Sequence, residues 1–134
     1  QAFARLDVFA GGTGQPDSPE AANRMRELAA ALSATSIPAL MQAALVHADL
    51  LTTQAFGARS GLVARAAERL VLLARGVDPA SLIVPEAGHL KLRAAYESNL
   101  AAYATSRPAG LQAWVLYSAE AFAAGAEARP LVSG

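Results

Sequence analysis

The sequence predicts an all-α bundle of about six helices. Apolar residues recur at helical spacing along the chain, and no run alternates apolar and polar residues for long enough to form a strand. The composition agrees, because 54% hydrophobic and 16% charged residues exclude a disordered tail. A length of 134 residues has room for one core, so we expect residues 1–134 to form a single domain.

The first predicted helix lies at the start of the chain, in QAFARLDVFA. Phe3, Leu6 and Ala10 fall at helical spacing there, with neither a capping residue nor an initiator Met before them. We therefore expect the chain to begin inside a helix and to be the C-terminal part of a longer protein. The missing N-terminal segment would then be a partner of this domain.

Two capped helices are predicted after the turn-rich loop at residues 11–18. Ser18 is a suitable N-cap, and Pro19 suits the first helical position. Ser36 is the expected cap of the next helix, which is apolar on nearly all sides over residues 37–53 and should lie at the centre of the bundle. The first of the two should bury one apolar stripe, formed by Ala21, Met25, Leu28 and Leu32.

The second half of the chain is also predicted to be helical. Ser60 is the expected cap of a helix that stops at Gly76. Pro85 should begin a long helix that ends near Thr105, and a last helix should begin near Pro108 and end at residues 129–130. The aromatic residues of these two helices are expected in helix–helix contacts: Tyr96, Tyr103, Trp114 and Tyr117.

Charge and cysteine content exclude several classes of function. Lys plus Arg and Asp plus Glu each total 11, and the basic residues are not clustered, so neither nucleic acid nor an anionic membrane is an expected partner. The chain has no Cys, which excludes disulfides and thiolate metal sites and fits a cytoplasmic protein. Apolar runs such as LVLLA at 70–74 are far shorter than the roughly 20 residues that cross a bilayer.

The stretch TTQAFGARSGLVAR, residues 52–65, has the composition of an anion-binding loop that opens a helix. Its glycines permit unusual backbone angles, a helix start offers backbone amides, and arginines add positive charge. The residues that would bind phosphate or nucleotide are Gly57, Arg59, Ser60, Gly61 and Arg65. The alternative is an inert capped turn in which Arg65 pairs with Glu68 or Glu120.

Residues 54–65 resemble the signature HPFx[DE]GNGRxxR of the Fic (filamentation induced by cAMP) family. Phe56, Gly61 and Arg65 match it, and His47 stands seven residues before the position of the signature His, where Fic sequences often carry a His. The segment VPEAGHL at 84–90 and the helix after the loop are similar to Fic-like proteins of high-GC bacteria. The resemblance covers nearly the whole chain and implies a Fic-like bundle with the loop between two central helices.

The departures from the signature fall on the residues that the resemblance links to catalysis. In Fic enzymes the His is the base, the acidic residue holds Mg²⁺ and the first Arg faces the phosphates, whereas this sequence has Gln54, Ala58 and Leu62. Gln54 cannot take up a proton near neutral pH, and losing a general base costs about 10² to 10⁴ in rate. Ala58 offers no oxygen to Mg²⁺. We expect no AMP transfer and no Mg²⁺ site; ATP or another nucleotide remains the expected ligand class.

Three functional hypotheses follow. The first is a degenerate Fic-like domain that acts as a nucleotide- or phosphate-binding, regulatory or interaction module. The resemblance implies that Phe56 anchors its loop. The second is an active atypical nucleotidyl- or phosphoryl-transferase acting on a protein hydroxyl, with a base such as His47; the simpler interpretation of His47 is a hydrogen-bonded core histidine. The third is a purely structural subunit whose apolar surface pairs with itself, as a homodimer, or with another chain.

His89 is the second histidine of the chain. We expect it in the first turn of its helix, where it could cap the helix or line a cleft. No second His or carboxylate accompanies it at ligand spacing, so no metal site is expected.

Overall fold

Six α-helices and one 3-10 turn make up most of the computed structural model, which describes residues 3, 5, 8, 11–32, 37–78, 80 and 83–127. The described residues contain no strand, which confirms the all-α prediction. Phe3, Arg5 and Val8 are helical as well. In chain order the helices are α1 (Pro19–Leu32), α2 (Ala39–Thr53), α3 (Ser60–Ala74), α4 (Pro85–Lys91), α5 (Arg93–Ala104) and α6 (Pro108–Glu127); the 3-10 turn is Gly57–Arg59.

The chain divides into two compact units, Gln1–Val71 and Leu72–Gly134. In the first unit, α1 begins as predicted, since the Ser18 hydroxyl accepts the backbone N–H of Ala21 at 3.0 Å. The hydrophobic core of this unit joins α1, α2, the loop between α2 and α3, and α3. Its buried members are Ala21, Met25, Leu28, Val46, Leu50, Ala55, Phe56, Val63, Ala64 and Ala67.

Helix α2 differs from the prediction at its start. It begins at Ala39, because Pro38 is the N-cap and holds extended backbone angles (φ −55°, ψ 141°) that keep Ile37 out of the helix. Ser36, the expected cap, lies outside the described residues. The prediction that α2 is buried on nearly all sides is wrong for its first turn, where Leu40 and Met41 are 43% and 37% exposed. Further along, α2 is almost entirely buried, and His47 lies within this stretch.

The end of α3 belongs to the second unit and forms the predicted glycine stop. Gly76 has a φ of +73°, a backbone conformation that glycine adopts without strain. Its N–H donates to the carbonyl of Leu73 at 3.1 Å, while the N–H of Val77 donates to the carbonyl of Leu72 at 3.0 Å. These two bonds satisfy carbonyls that the helix would otherwise leave without partners.

The predicted long helix from Pro85 to Thr105 is two helices, α4 and α5. At Leu92 the backbone leaves helical geometry (φ −106°, ψ 34°), and the resulting bend allows both helices to pack against α6. Because α4 ends at Lys91, His89 lies in its last turn rather than in the first turn of a long helix.

Aromatic side chains fill the contact between α5 and α6, as predicted. Trp114 is fully buried, and its ring centroid lies 5.2 Å from that of Tyr117 and 6.0 Å from that of Tyr96. The Nδ1 atom of His89 lies 2.7 Å from the Tyr117 hydroxyl, so this histidine is hydrogen-bonded within the second unit. No described helix is long and apolar enough to cross a membrane.

Candidate functional site

Residues 54–59, here called the motif loop, connect α2 to α3 in the first unit. Gln54 ends α2 in the left-handed backbone region (φ 50°, ψ 40°), and its side-chain Nε2 donates to the carbonyl of Leu51 at 2.6 Å. The side chain of Gln54 therefore caps the C-terminus of α2. Gln54 and Ala58 are both exposed, and neither side chain can ionise.

Phe56 holds the motif loop on the core. Its side chain is 1% exposed and belongs to the core cluster of the first unit. Its backbone N–H donates to the hydroxyl of Ser60 at 3.1 Å. The loop-anchor role that the Fic resemblance implies for Phe56 stays a prediction from the sequence.

Ser60 is the first residue of α3 and is fully buried. The sequence predicts an N-cap that accepts an N–H from within α3, whereas the Ser60 hydroxyl accepts the N–H of Phe56, four residues upstream. The reason is the 3-10 turn, which runs directly into α3 and turns this hydroxyl toward the loop. The Ser60 side chain is thus hydrogen-bonded to the loop and does not face solvent.

The backbone amides of the motif loop are mostly used within the loop. The N–H of Gly57 donates to the carbonyl of Gln54 at 3.0 Å, and the N–H of Arg59 donates to the carbonyl of Phe56 at 3.2 Å. The N–H of Ser60 donates to the carbonyl of Gly57. These internal bonds reduce the number of outward amides that an anion could use at these positions.

Arg65 is the basic residue that the fold brings back toward the start of α3. Its Nη1 atom lies 3.2 Å from the point where a Cβ atom of Gly61 would lie, so the missing side chain of Gly61 makes room for the guanidinium. Arg65 is half-buried and forms no hydrogen bond or ion pair with any residue that the structure describes. Arg59, also half-buried, occupies the end of the 3-10 turn.

Glu68, which the inert-turn alternative assigned as a partner of Arg65, is bonded to His47 instead. The Oε2 atom of Glu68 accepts a hydrogen bond from Nδ1 of His47 at 2.9 Å, and the two side chains are 0% and 1% exposed. This confirms the interpretation of His47 as a hydrogen-bonded core histidine. This pairing could not be predicted from the sequence, because the two residues stand 21 positions apart on different helices.

The loop at residues 11–18 packs against the motif loop, a contact that the sequence did not predict. The N–H of Asp17 donates to the carbonyl of Ala55 at 2.8 Å. The Asp17 carboxylate Oδ2 lies 2.7 Å from the point where a Cβ atom of Gly57 would lie, and Gly57 has a φ of +59°. Gly57 is therefore required both by its backbone conformation and by the space that Asp17 occupies.

Compared with known proteins, the chain matches no family model, no curated protein and no solved structure. The resemblance of residues 54–65 to the Fic signature therefore stays a prediction from the sequence.

Proposed function

We propose that this protein binds a phosphate-bearing ligand, such as a nucleotide, where the motif loop meets α3. It would do so as a degenerate Fic-like regulatory or interaction module that does not transfer AMP. The observation that carries this proposal is the guanidinium of Arg65, which lies beside Gly61 in the first turn of α3 and has no counter-ion among the described residues.

The position of Arg65 favours an anion for two physical reasons. The N-terminus of a helix carries a partial positive charge, so the guanidinium and the start of α3 attract the same ligand. A guanidinium also presents several N–H donors in a planar fork that fits two phosphate oxygens. A half-buried arginine without a counter-ion is costly to keep partly desolvated, and a bound phosphate would offset that cost.

Binding without chemistry is favoured by the side chains at the loop surface. Gln54 uses its amide to cap α2, and Ala58 provides no carboxylate for Mg²⁺. An atypical transferase would need a base from elsewhere. His47, the candidate from the sequence, is 1% exposed and donates to Glu68, so a substrate hydroxyl could not reach it without a rearrangement.

Isothermal titration calorimetry with ATP, with and without Mg²⁺, tests the proposal. We expect saturable heat that does not require Mg²⁺, and affinity at least about tenfold weaker in Arg65→Ala because a charge-assisted hydrogen bond is lost. Arg107→Ala is the matched control, because it removes the same positive charge at an exposed residue of the other unit. Absence of heat at millimolar ATP, or equal affinity in Arg65→Ala, would refute the proposal.

A second candidate function, self-association, is favoured by apolar side chains exposed on α3. Leu62 is 52% exposed and Leu70 is 42% exposed, and they lie two turns apart on this helix. Leu62 stands where the Fic signature has its first arginine. Light scattering coupled to gel filtration would give the mass of a dimer, and Leu62→Lys with Leu70→Glu would return the monomer mass of 13.8 kDa. A monomer mass for the unmodified chain at high concentration would eliminate this candidate.

A further inference from the structure

A cavity whose lining does not include Arg65 opens in the first unit. It is a cleft of about 330 Å³ whose lining includes Phe3, Met25 and Phe56 together with the polar residues Gln15 and Arg26. This volume lies at the lower end of the roughly 300 to 1,000 Å³ that is typical of small-molecule sites. The cleft therefore has room for one small organic molecule.

The inner surface of the cleft suits an aromatic ring. Met25 is 7% exposed and Phe56 is 1% exposed, and both belong to the core, so they form a fixed apolar floor. Phe3 packs against the same core as a partly buried side chain. Two aromatic rings and a thioether favour contact with a flat aromatic body, since ring–ring and sulfur–ring contacts both stabilise such a complex.

The opening of the cleft carries a positive charge. Arg26 is exposed and lies one turn before Ala29 on α1, and both residues line the cleft. The guanidinium of Arg26 donates to the side-chain oxygen of Asn23 but forms no ion pair with any described carboxylate. The bond to Asn23 orients the guanidinium without neutralising it, so an acceptor with negative charge is the complementary group.

We infer that this cleft binds a small aromatic carboxylate, with the ring over Met25 and Phe56 and the carboxylate on Arg26. The inference does not depend on nucleotide binding at Arg65, because the two sites rest on different cations. Phe56 connects them: its ring lines the cleft, while its backbone N–H donates to Ser60 at the start of α3. A ligand in the cleft would thus stabilise the residue that holds the motif loop on the core.

Methyl NMR of methionine tests this inference directly, because the chain has only two methionines. Met25 lines the cleft, while Met41 lies in the first turn of α2 and does not. Titration with 1-naphthoate should shift the Met25 methyl resonance saturably and leave that of Met41 unchanged. The neutral 1-naphthamide should bind about tenfold more weakly, since it lacks the charge that pairs with Arg26. Equal shifts of both methyl groups, or none, would overturn the inference.

Two variants separate the two parts of the site. Arg26→Gln should weaken 1-naphthoate binding about tenfold while leaving 1-naphthamide binding unchanged. Ala29→Leu should fill the cleft and weaken both ligands, whereas Ala30→Leu, also exposed on α1 but outside the cleft, should weaken neither. Unchanged 1-naphthoate affinity in both Arg26→Gln and Ala29→Leu would overturn the assignment of the ligand to this cleft.

Discussion

The imidazole of His47 and the carboxylate of Glu68 form a buried hydrogen bond, with 2.9 Å between Nδ1 and Oε2. His47 lies on α2 and Glu68 on α3, so the bond joins the two helices between which the motif loop runs. Polar side chains with almost no exposure are stable in an interior only when they are paired. The bond therefore holds together α2 and α3, the two helices that the motif loop connects.

The first prediction concerns this pair. Glu68→Leu should lower the free energy of unfolding by about 3 kcal/mol, because it leaves the His47 N–H buried without this acceptor. Glu68→Gln should cost less, since the amide oxygen can still accept that N–H. Chemical denaturation measures both, and a double-mutant cycle with His47→Leu gives the coupling energy. A coupling energy near zero would show that the pair does not stabilise this fold.

The second prediction concerns Gly57 and its contact with Asp17. Gly57→Ala should destabilise by about 1 to 2 kcal/mol because an alanine at a φ of +59° is strained. Gly76→Ala provides the matched control, since Gly76 has a φ of +73° but no neighbouring atom within 4 Å of the added Cβ. The loss at Gly57 should exceed that at Gly76, because Asp17 must move.

Asp17→Ala isolates the steric part of that loss. In the Gly57→Ala background it should recover about 0.5 kcal/mol or more, while the backbone strain remains. Gly57→Ala and Gly76→Ala could instead lose equal free energy of unfolding, with no recovery on Asp17→Ala. That result would mean that the Asp17 carboxylate does not clash with a side chain at position 57.

The third prediction separates stability from binding at Gly61. Alanine is the better helix former, so Gly61→Ala should raise the free energy of unfolding by about 0.5 to 1 kcal/mol. The added Cβ would lie 3.2 Å from Nη1 of Arg65, and the guanidinium would have to shift by a few tenths of an ångström from its position beside Gly61. ATP affinity should therefore fall while thermal stability rises. A parallel rise of both would contradict the proposed position of the phosphate beside Gly61.

The fourth prediction concerns the close approach of α4 to α6 in the second unit. A Cβ atom at Gly88 would lie 2.0 Å from the backbone carbonyl oxygen of Ala121, a separation that no packing can accept. Gly88→Ala should destabilise by about 3 kcal/mol, because the backbones of two helices must separate. Helix propensity alone predicts the opposite sign, about 1 kcal/mol of stabilisation. Thermal unfolding of Gly88→Ala measures this effect, and a stabilised variant would contradict the close approach of α4 to α6.

The contact at Gly88 also explains why the segment VPEAGHL contains a glycine. The N–H of Val84 donates to the carbonyl of Gly125 at 3.2 Å, so the start of α4 is hydrogen-bonded to α6 as well as packed on it. A side chain at Gly125 would in turn meet the carbonyl oxygen of Val84. Each glycine allows the backbone of the other helix to approach closely. In the sequence these residues are only two isolated glycines in helical segments, so the approach could not be predicted from them.

Local sequence signals predicted the features of the fold that depend on near neighbours in the chain. Periodic apolar residues predicted the helices, Ser18 predicted the start of α1, and Gly76 predicted the end of α3, because each of these signals acts within one or two helical turns. The all-α class followed from such local signals. The bend at Leu92 did not, since neither proline nor glycine occupies that position.

The arrangement of the candidate site depends on tertiary contacts. Three relationships depend on residues that are distant in sequence or on the direction in which the chain leaves a turn: Glu68 pairs with His47, Asp17 packs on Gly57, and the Ser60 hydroxyl turns back to Phe56. The guanidinium of Arg65 has no partner among the described residues, while Glu68 is bonded to His47. Spacing along the chain indicates which residues can share a helix face, but partner choice between helices is set by packing, which one sequence does not specify.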